Sequence, residues 1–110
     1  MKVLGLIPTR IGSTRLPSKP LLEINNIPLI IHTYRRALLS KSIDDLYICC
    51  DDIKIAKIAK KFGAKYIITS KNHQNGTERI TEGFLSLKNN SIYDFVLDIQ
   101  LYGGLFNIIF

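Results

Sequence analysis

Long apolar runs are missing from this chain of 110 residues. Its longest apolar stretches fall well short of the ~20 residues that a membrane-spanning helix needs. The apolar run near the N-terminus starts at Val3 and is interrupted by Arg10, so it is too short for the core of a signal peptide. These absences predict a cytoplasmic protein that does not enter a membrane.

Cysteine is scarce, since the chain contains only Cys49 and Cys50. The two residues are adjacent on a predicted strand, where neighbouring side chains point to opposite faces, so a bond between them is not expected. The sequence therefore predicts two buried, reduced thiols and no disulfide framework.

Acidic residues are outnumbered, with 9 Asp and Glu against 15 Lys and Arg, and the net charge is +6. This excess favours an anionic partner, but it does not choose among nucleotides, nucleic acids and membrane surfaces. With 46% hydrophobic residues, a chain of this length can bury one modest core. We therefore expect a single soluble globular domain.

Short apolar runs alternate with amphipathic stretches along the chain. Buried strands are predicted at residues 3–7, 45–50, 65–69 and 93–100. Apolar residues at helical spacing predict helices at residues 29–39, 53–62 and 77–87. This alternation predicts repeated βα units, and hence an α/β fold with a parallel, doubly wound sheet. Ligands of such sheets bind at the carboxyl ends of the strands.

The loop after the first predicted strand, at residues 7–20, combines cations, hydroxyl groups and prolines. Its cations are Arg10, Arg15 and Lys19, and Gly12 lies among them. Glycine lets the backbone turn its N–H groups toward an anion, while hydroxyls and cations add donors and charge. The loop has neither a Walker A motif nor the glycine pattern of dinucleotide folds. Composition alone leaves two interpretations, a phosphate-binding loop and a generic basic loop.

Separated motifs in this chain resemble one enzyme family. They read Ile-Pro-Thr-Arg-Ile-Gly-Ser-Thr-Arg-Leu-Pro-Ser-Lys-Pro-Leu at 7–21, Asn-Ile-Pro-Leu-Ile at 26–30, and His-Gln-Asn-Gly-Thr-Glu-Arg at 73–79. Over residues 2–100 the chain resembles the 3-deoxy-manno-octulosonate cytidylyltransferases, the CMP-KDO synthetases. The resemblance implies a Rossmann-like nucleotidyltransferase fold of the glycosyltransferase-A type, a parallel sheet with flanking helices, truncated here after the fourth predicted strand.

The resemblance also implies a reaction in lipopolysaccharide biosynthesis. The anomeric hydroxyl of the acid sugar KDO attacks the α-phosphate of CTP, which gives CMP-KDO and pyrophosphate with the help of Mg²⁺. The implied partners are CTP, the acid sugar and a second subunit of a homodimer. Two alternatives stay open, a cytidylyltransferase for 8-amino-KDO or a sialic-acid-like sugar, and a non-catalytic nucleotide-binding module. Nucleic acid is not expected, because no aromatic residues interleave the cations of the loop as stacking platforms.

The candidate site residues are those that match the family motifs. Lys19 and Arg10 are assigned catalytic roles, because cations there would neutralise charge on the leaving pyrophosphate. The predicted nucleotide-binding residues are Pro8, Arg10, Ser13, Arg15, Lys19, Gln74, Gly76, Thr77, Arg79 and Gln100. A helix start with a surface ion pair is the alternative for residues 77–79.

The last ten residues depart from the family pattern. The family continues after Gln100 with Gly-Asp-Glu-Pro, whose Asp holds Mg²⁺, whereas this chain continues with Leu-Tyr-Gly-Gly. Asp98 precedes that motif, so no metal ligand is predicted, and Asp51 and Asp52 are expected to act in a turn or as a helix cap.

Two segments follow from this departure. Residues 1–100 are predicted to be the N-terminal nucleotide-binding part of a cytidylyltransferase domain, and residues 101–110 a divergent apolar tail. Family chains are much longer, and their second half carries a further metal carboxylate, most of the sugar site and the dimer contacts. We therefore expect a truncated or frame-shifted chain that does not catalyse the reaction alone, with a genuine short variant as the alternative.

Overall fold

The structure, a computed structural model, describes residues 1–12, 18–73, 75–101 and 106–108. Strands and helices alternate along it. The strands are β1 (Val3–Thr9), β2 (Glu23–Ile24), β3 (Ile27–Pro28), β4 (Asp45–Cys50), β5 (Tyr66–Ile68), β6 (Phe95–Ile99) and β7 (Phe106–Ile108). The helices are α1 (Leu29–Leu38), α2 (Ile53–Lys61) and α3 (Gly76–Ser86), with short 3-10 turns at Lys19–Leu21 and Asn90–Ile92.

In the described part of the chain, five strands form one sheet in the order β5-β4-β1-β6-β7. Strands β5, β4, β1 and β6 run parallel to one another, and β2 and β3 form a separate antiparallel hairpin. The parallel α/β fold with flanking helices is confirmed, and each predicted strand and helix is present with small shifts of its ends.

Two features of the sheet differ from the sequence-based expectation. Strand β1 continues through Pro8 to Thr9, because it still pairs with β4 there, while its pairing with β6 ends at Leu6. A proline without an N–H is tolerated where a strand has lost one neighbour. In addition, β7 pairs antiparallel with β6, so that Phe106 lies opposite Ile99. No sequence pattern predicted this strand.

Two apolar clusters lie on the opposite faces of the sheet. One packs the sheet against α1 and α2, and it includes Ile48 and Cys50. The other packs the sheet against α3 through Ile80, and it includes Cys49. The prediction of buried, unpaired cysteines on opposite faces is confirmed. Burial raises the pKa of Cys49 to about 12 and that of Cys50 to about 11, so both stay as thiols near neutral pH.

Helix α3 packs very closely on the sheet. A Cβ atom placed on Gly83 would lie 2.6 Å from the Cys49 Sγ atom, so only glycine fits between the helix and β4. At the N-terminus of α3, a Cβ atom on Gly76 would lie 3.3 Å from Pro8 Cγ. The first turn of α3 is therefore held against the end of β1.

Among the helices that the structure describes, none has the length and apolar character of a membrane span.

Candidate functional site

A cleft of about 300 Å³ opens where β1 and β6 end and α3 begins. Its walls come from the end of β1, the 3-10 turn after the basic loop, the start of α3 and the end of β6. The lining residues are Pro8, Thr9, Arg10, Lys19, Pro20, His73, Asn75, Gly76, Arg79, Gln100 and Leu101. The cleft lies at the carboxyl ends of parallel strands, which is the edge where sheets of this kind bind ligands.

The cleft brings together residues from the first and third of the motifs that carry the resemblance. Of the predicted nucleotide-binding residues, those that line it are Pro8, Arg10, Lys19, Gly76, Arg79 and Gln100. Thr77 is exposed on α3 instead, where its carbonyl accepts a hydrogen bond from Thr81 Oγ1 at 2.9 Å. The remaining three, Ser13, Arg15 and Gln74, lie outside the described residues.

The cleft also contains residues that the sequence analysis did not single out. They are Thr9, Pro20, His73, Asn75 and Leu101. For Asn75 a signal was available, because Asn followed three residues later by Glu78 is typical of a helix start. In the structure Asn75 Oδ1 accepts the Glu78 N–H at 2.9 Å and caps α3. For Leu101 no sequence signal existed.

The lining of the cleft is positively charged. Arg10, Lys19 and Arg79 are among its lining residues, and none of the described residues that line it is acidic. Helix α3 directs its N-terminus here, where the helix dipole favours an anion. The arrangement suits a ligand with several negative charges.

His73 is held at the cleft by Glu82. The His73 Nε2 atom lies 2.5 Å from Glu82 Oε1, and the same oxygen accepts the Ser70 N–H at 3.0 Å. The hydrogen bond from Ser70 lowers the pKa of Glu82, so this side chain is a carboxylate at neutral pH. A carboxylate accepts from His73 Nε2–H, which fixes the position of the imidazole ring.

Arg79 is buried, although a surface ion pair was the alternative for this residue. Its side chain is only 3% exposed, and its Nη1 atom donates to Thr69 Oγ1 at 2.8 Å and to the Ser70 carbonyl at 3.0 Å. Its Nη2 atom lies 3.8 Å from Asp51 Oδ2. The surface alternative is therefore wrong for Arg79, because α3 carries this side chain toward the ends of β4 and β5.

Asp51 and Asp52 differ in role despite their adjacency. Asp52 Oδ1 accepts the Lys54 N–H at 2.8 Å and caps α2, which confirms the cap that the sequence predicted. Asp51 is only 9% exposed, and its Oδ1 atom accepts the Ile11 N–H at 3.2 Å. The expected turn or cap role is wrong for Asp51, because its carboxylate faces the basic loop.

The described residues do not fit the Mg²⁺ ion that the resemblance implies. They contain no group of three or more His, Cys, Asp or Glu side chains that could hold a metal. The nearby carboxylates already accept hydrogen bonds from the protein. Asp51 accepts from the Ile11 N–H, and Asp98 accepts from Gln100 Nε2 at 2.8 Å. Burial also raises the pKa of Asp98, which disfavours the charged form that a hard cation needs.

Comparison with known proteins agrees with the fold. A family model described as cytidylyltransferase matches residues 4–101. The 8-amino-3,8-dideoxy-manno-octulosonate cytidylyltransferase of Shewanella pealeana is 42% identical over 100 residues, which are 91% of this chain and 40% of that protein. The 3-deoxy-manno-octulosonate cytidylyltransferase of Thermodesulfovibrio yellowstonii is 46% identical over 82 residues, 74% of this chain and 32% of that protein.

A solved structure is similar over the same region. The structure of CMP:2-keto-3-deoxy-manno-octonic acid synthetase complexed with CTP superposes with a TM-score of 0.84 and 35% identity, over 92% of this chain and 40% of that one. The chain thus spans about 40% of the length of the first of these curated relatives. Because the family match covers most of its residues and the described fold agrees with it, this chain belongs to the cytidylyltransferase family.

Proposed function

We propose that this chain forms the nucleotide-binding part of a cytidylyltransferase that transfers CMP from CTP to an eight-carbon octulosonate sugar and releases pyrophosphate. The observation that carries the proposal is the cleft at the ends of β1 and β6, with its cationic lining and the N-terminus of α3. Family membership and the names of the relatives support the nucleotide and the class of sugar. The proposed reaction serves lipopolysaccharide biosynthesis in the cytoplasm.

The proposed roles follow from charge. Arg10 and Lys19 both belong to the basic loop and line the same cleft, so they can neutralise charge on the triphosphate and on the leaving pyrophosphate. The backbone of Gly76 lies in the first turn of α3, where N–H groups can donate to phosphate oxygens. The other predicted site residues, Pro8, Ser13, Arg15, Gln74, Thr77, Arg79 and Gln100, complete the proposed nucleotide site.

Two acceptor sugars are candidates. KDO is the acceptor that the sequence motifs favour, and the Thermodesulfovibrio relative carries that name. The 8-amino sugar is the second candidate, because relatives from several Shewanella strains named for it match 91% of this chain.

Calorimetric titration of this chain with CTP and, separately, with CMP tests the proposed nucleotide site. If the cleft recognises the triphosphate, CTP should bind at least about tenfold more tightly than CMP, because one charge-assisted hydrogen bond contributes about 1.5–3 kcal/mol. Absence of CTP binding, or equal affinity for the two nucleotides, would contradict the proposal.

A further inference from the structure

We infer that Asp51 and Arg79 are positioning residues, which hold the base of the basic loop and thereby set the geometry of Arg10 and Lys19 in the cleft. The inference rests on the proposed function for the cleft as the nucleotide site. Neither residue has to touch the ligand for this role, because both act through Ile11, a residue of the basic loop.

The described residues on the two sides of the loop tip meet at Ile11. The Ile11 carbonyl accepts the Ser18 N–H at 2.8 Å, and the Ile11 N–H donates to Asp51 Oδ1 at 3.2 Å. The two hydrogen bonds of Ile11 therefore link the start and the end of the loop tip to Asp51. Arg10 directly precedes Ile11 in the sequence, and Lys19 directly follows Ser18. Any shift of Ile11 moves both cations relative to the cleft.

Asp51 is in turn held by Arg79. The second carboxylate oxygen of Asp51 lies 3.8 Å from Arg79 Nη2, while Arg79 Nη1 donates to Thr69 Oγ1 and to the Ser70 carbonyl. Both side chains are nearly buried, and a buried carboxylate is tolerated only when an opposite charge and hydrogen bonds compensate it. This network joins the ends of β1, β4 and β5 to α3.

The sign of the charge on Asp51 makes the role testable. A carboxylate beside an anion-binding cleft repels the ligand, so its removal should tighten the binding of CTP if charge were its only effect. If Asp51 positions the loop, its removal should weaken binding instead. The two accounts predict changes in opposite directions.

The variant Asp51→Asn separates these accounts, with Asp52→Asn as its matched control. Asparagine has one side-chain oxygen, so at position 51 an oxygen that accepts from Ile11 leaves the amide NH2 group, a donor, facing Arg79 in place of a carboxylate oxygen. At position 52 asparagine still caps α2, and the net charge changes by the same amount. We expect Asp51→Asn to weaken CTP binding about tenfold, and Asp52→Asn to change it less than about twofold. Binding by Asp51→Asn that equals or exceeds that of Asp52→Asn would overturn the inference.

Amide hydrogen exchange followed by NMR provides a readout that does not need CTP. The Ile11 and Ser18 amides should exchange about tenfold faster in Asp51→Asn than in the unmodified chain, and at an unchanged rate in Asp52→Asn. Unchanged exchange at Ile11 in Asp51→Asn would overturn the inference. If the unmodified chain does not bind CTP, the proposed function fails, and the exchange rates still decide the role of Asp51.

A second variant covers the case in which Asp51→Asn does not fold. Thr69→Val keeps the side-chain shape but removes the hydroxyl that accepts from Arg79 Nη1. It should act in the same direction and more weakly, with CTP affinity and Ile11 exchange each changed about threefold. If neither quantity changes, Arg79 does not position the loop.

Discussion

The two ends of the parallel sheet use carboxylates in different surroundings. At the amino ends of the strands, Asp94 Oδ2 accepts the Lys2 N–H at 2.8 Å and Asp44 Oδ2 accepts the Val3 N–H at 2.7 Å. At the carboxyl ends, Asp51 accepts the Ile11 N–H in the same way. At both ends of β1, carboxylates thus accept hydrogen bonds from backbone N–H groups.

The two ends differ in the charged and polar groups that surround these carboxylates. At the amino end Asp45 accepts a 2.6 Å hydrogen bond from the Tyr93 hydroxyl and lies 3.9 Å from Lys65 Nζ. Burial and the neighbouring Asp45 carboxylate raise the pKa of Tyr93, which keeps its phenol protonated. At the carboxyl end the described lining of the cleft is cationic and has no carboxylate. The comparison indicates that the amino end serves stability, whereas the carboxyl end is arranged for an anion.

The largest expected effect comes from removing the cations of the basic loop. Arg15→Ala and Lys19→Ala should each weaken CTP binding by on the order of 1–3 kcal/mol, the range of charge-assisted hydrogen bonds. Calorimetric titration measures the change. Lys54→Ala, on the exposed face of α2, is the control and should leave the affinity unchanged. Unchanged affinity in both loop variants would show that the triphosphate does not bind at this end of the sheet.

Gly83→Ala should disturb the support of the cleft. The added methyl group would lie 2.6 Å from Cys49 Sγ, so α3 or β4 must move, and we expect the free energy of unfolding to fall by about 1–3 kcal/mol. Urea denaturation measures this loss. The double variant Gly83→Ala with Cys49→Ala removes the obstructing sulfur, and the two changes should then cost less than their sum. Strict additivity would show that the contact is not the cause.

Asp94→Asn at the amino end should lower stability without affecting the nucleotide. The variant exchanges a charged acceptor of the Lys2 N–H for a neutral one, so we expect a loss of up to about 1 kcal/mol in the free energy of unfolding. CTP affinity should stay the same, because this residue lies at the opposite end of β1. A change in affinity larger than the change in stability would break the contrast between the two ends.

The smallest expected effect concerns Asp98. Burial raises its pKa in the folded state, so folding favours the protonated form, and this contribution is lost as the pH rises above the ordinary range of an aspartate. Asp98→Asn keeps an oxygen for Gln100 Nε2 and removes the titration. We expect the variant to be slightly more stable at pH 7 and to lose less stability between pH 4 and pH 7, as urea denaturation at several pH values would show. A steeper decline in the variant would contradict this.

Local patterns predicted most of the fold because its strands and helices carry clear periodicities. The amphipathic residues of α2 and the apolar run of β4 were sufficient to find both elements. The extension of β1 through Pro8 and the pairing of β7 depend instead on which strands neighbour them. Such tertiary context is not visible in a short stretch of sequence.

The candidate site was predictable only where residues lie within a motif. Arg10, Lys19 and Gly76 were found by resemblance, and the structure places them in one cleft. The partnership of Asp51 with Ile11 joins residues 40 positions apart, and no local pattern marks it. The burial of Arg79 was missed for the same reason, because its hydrogen-bond acceptors, Thr69 and Ser70, follow β5 and lie in a different part of the sequence from α3.

Mapping of CTP on the folded chain by NMR tests the central contrast most directly. Backbone amide shifts recorded during a titration report which end of the sheet contacts the nucleotide. We predict that the amides of Arg10, Ile11, Gly76 and Gln100 shift with increasing CTP, while those of Lys2, Val3 and Asp94 do not. Shifts confined to the amino-end residues, or no shift at Arg10 and Gly76 at saturating CTP, would contradict the account.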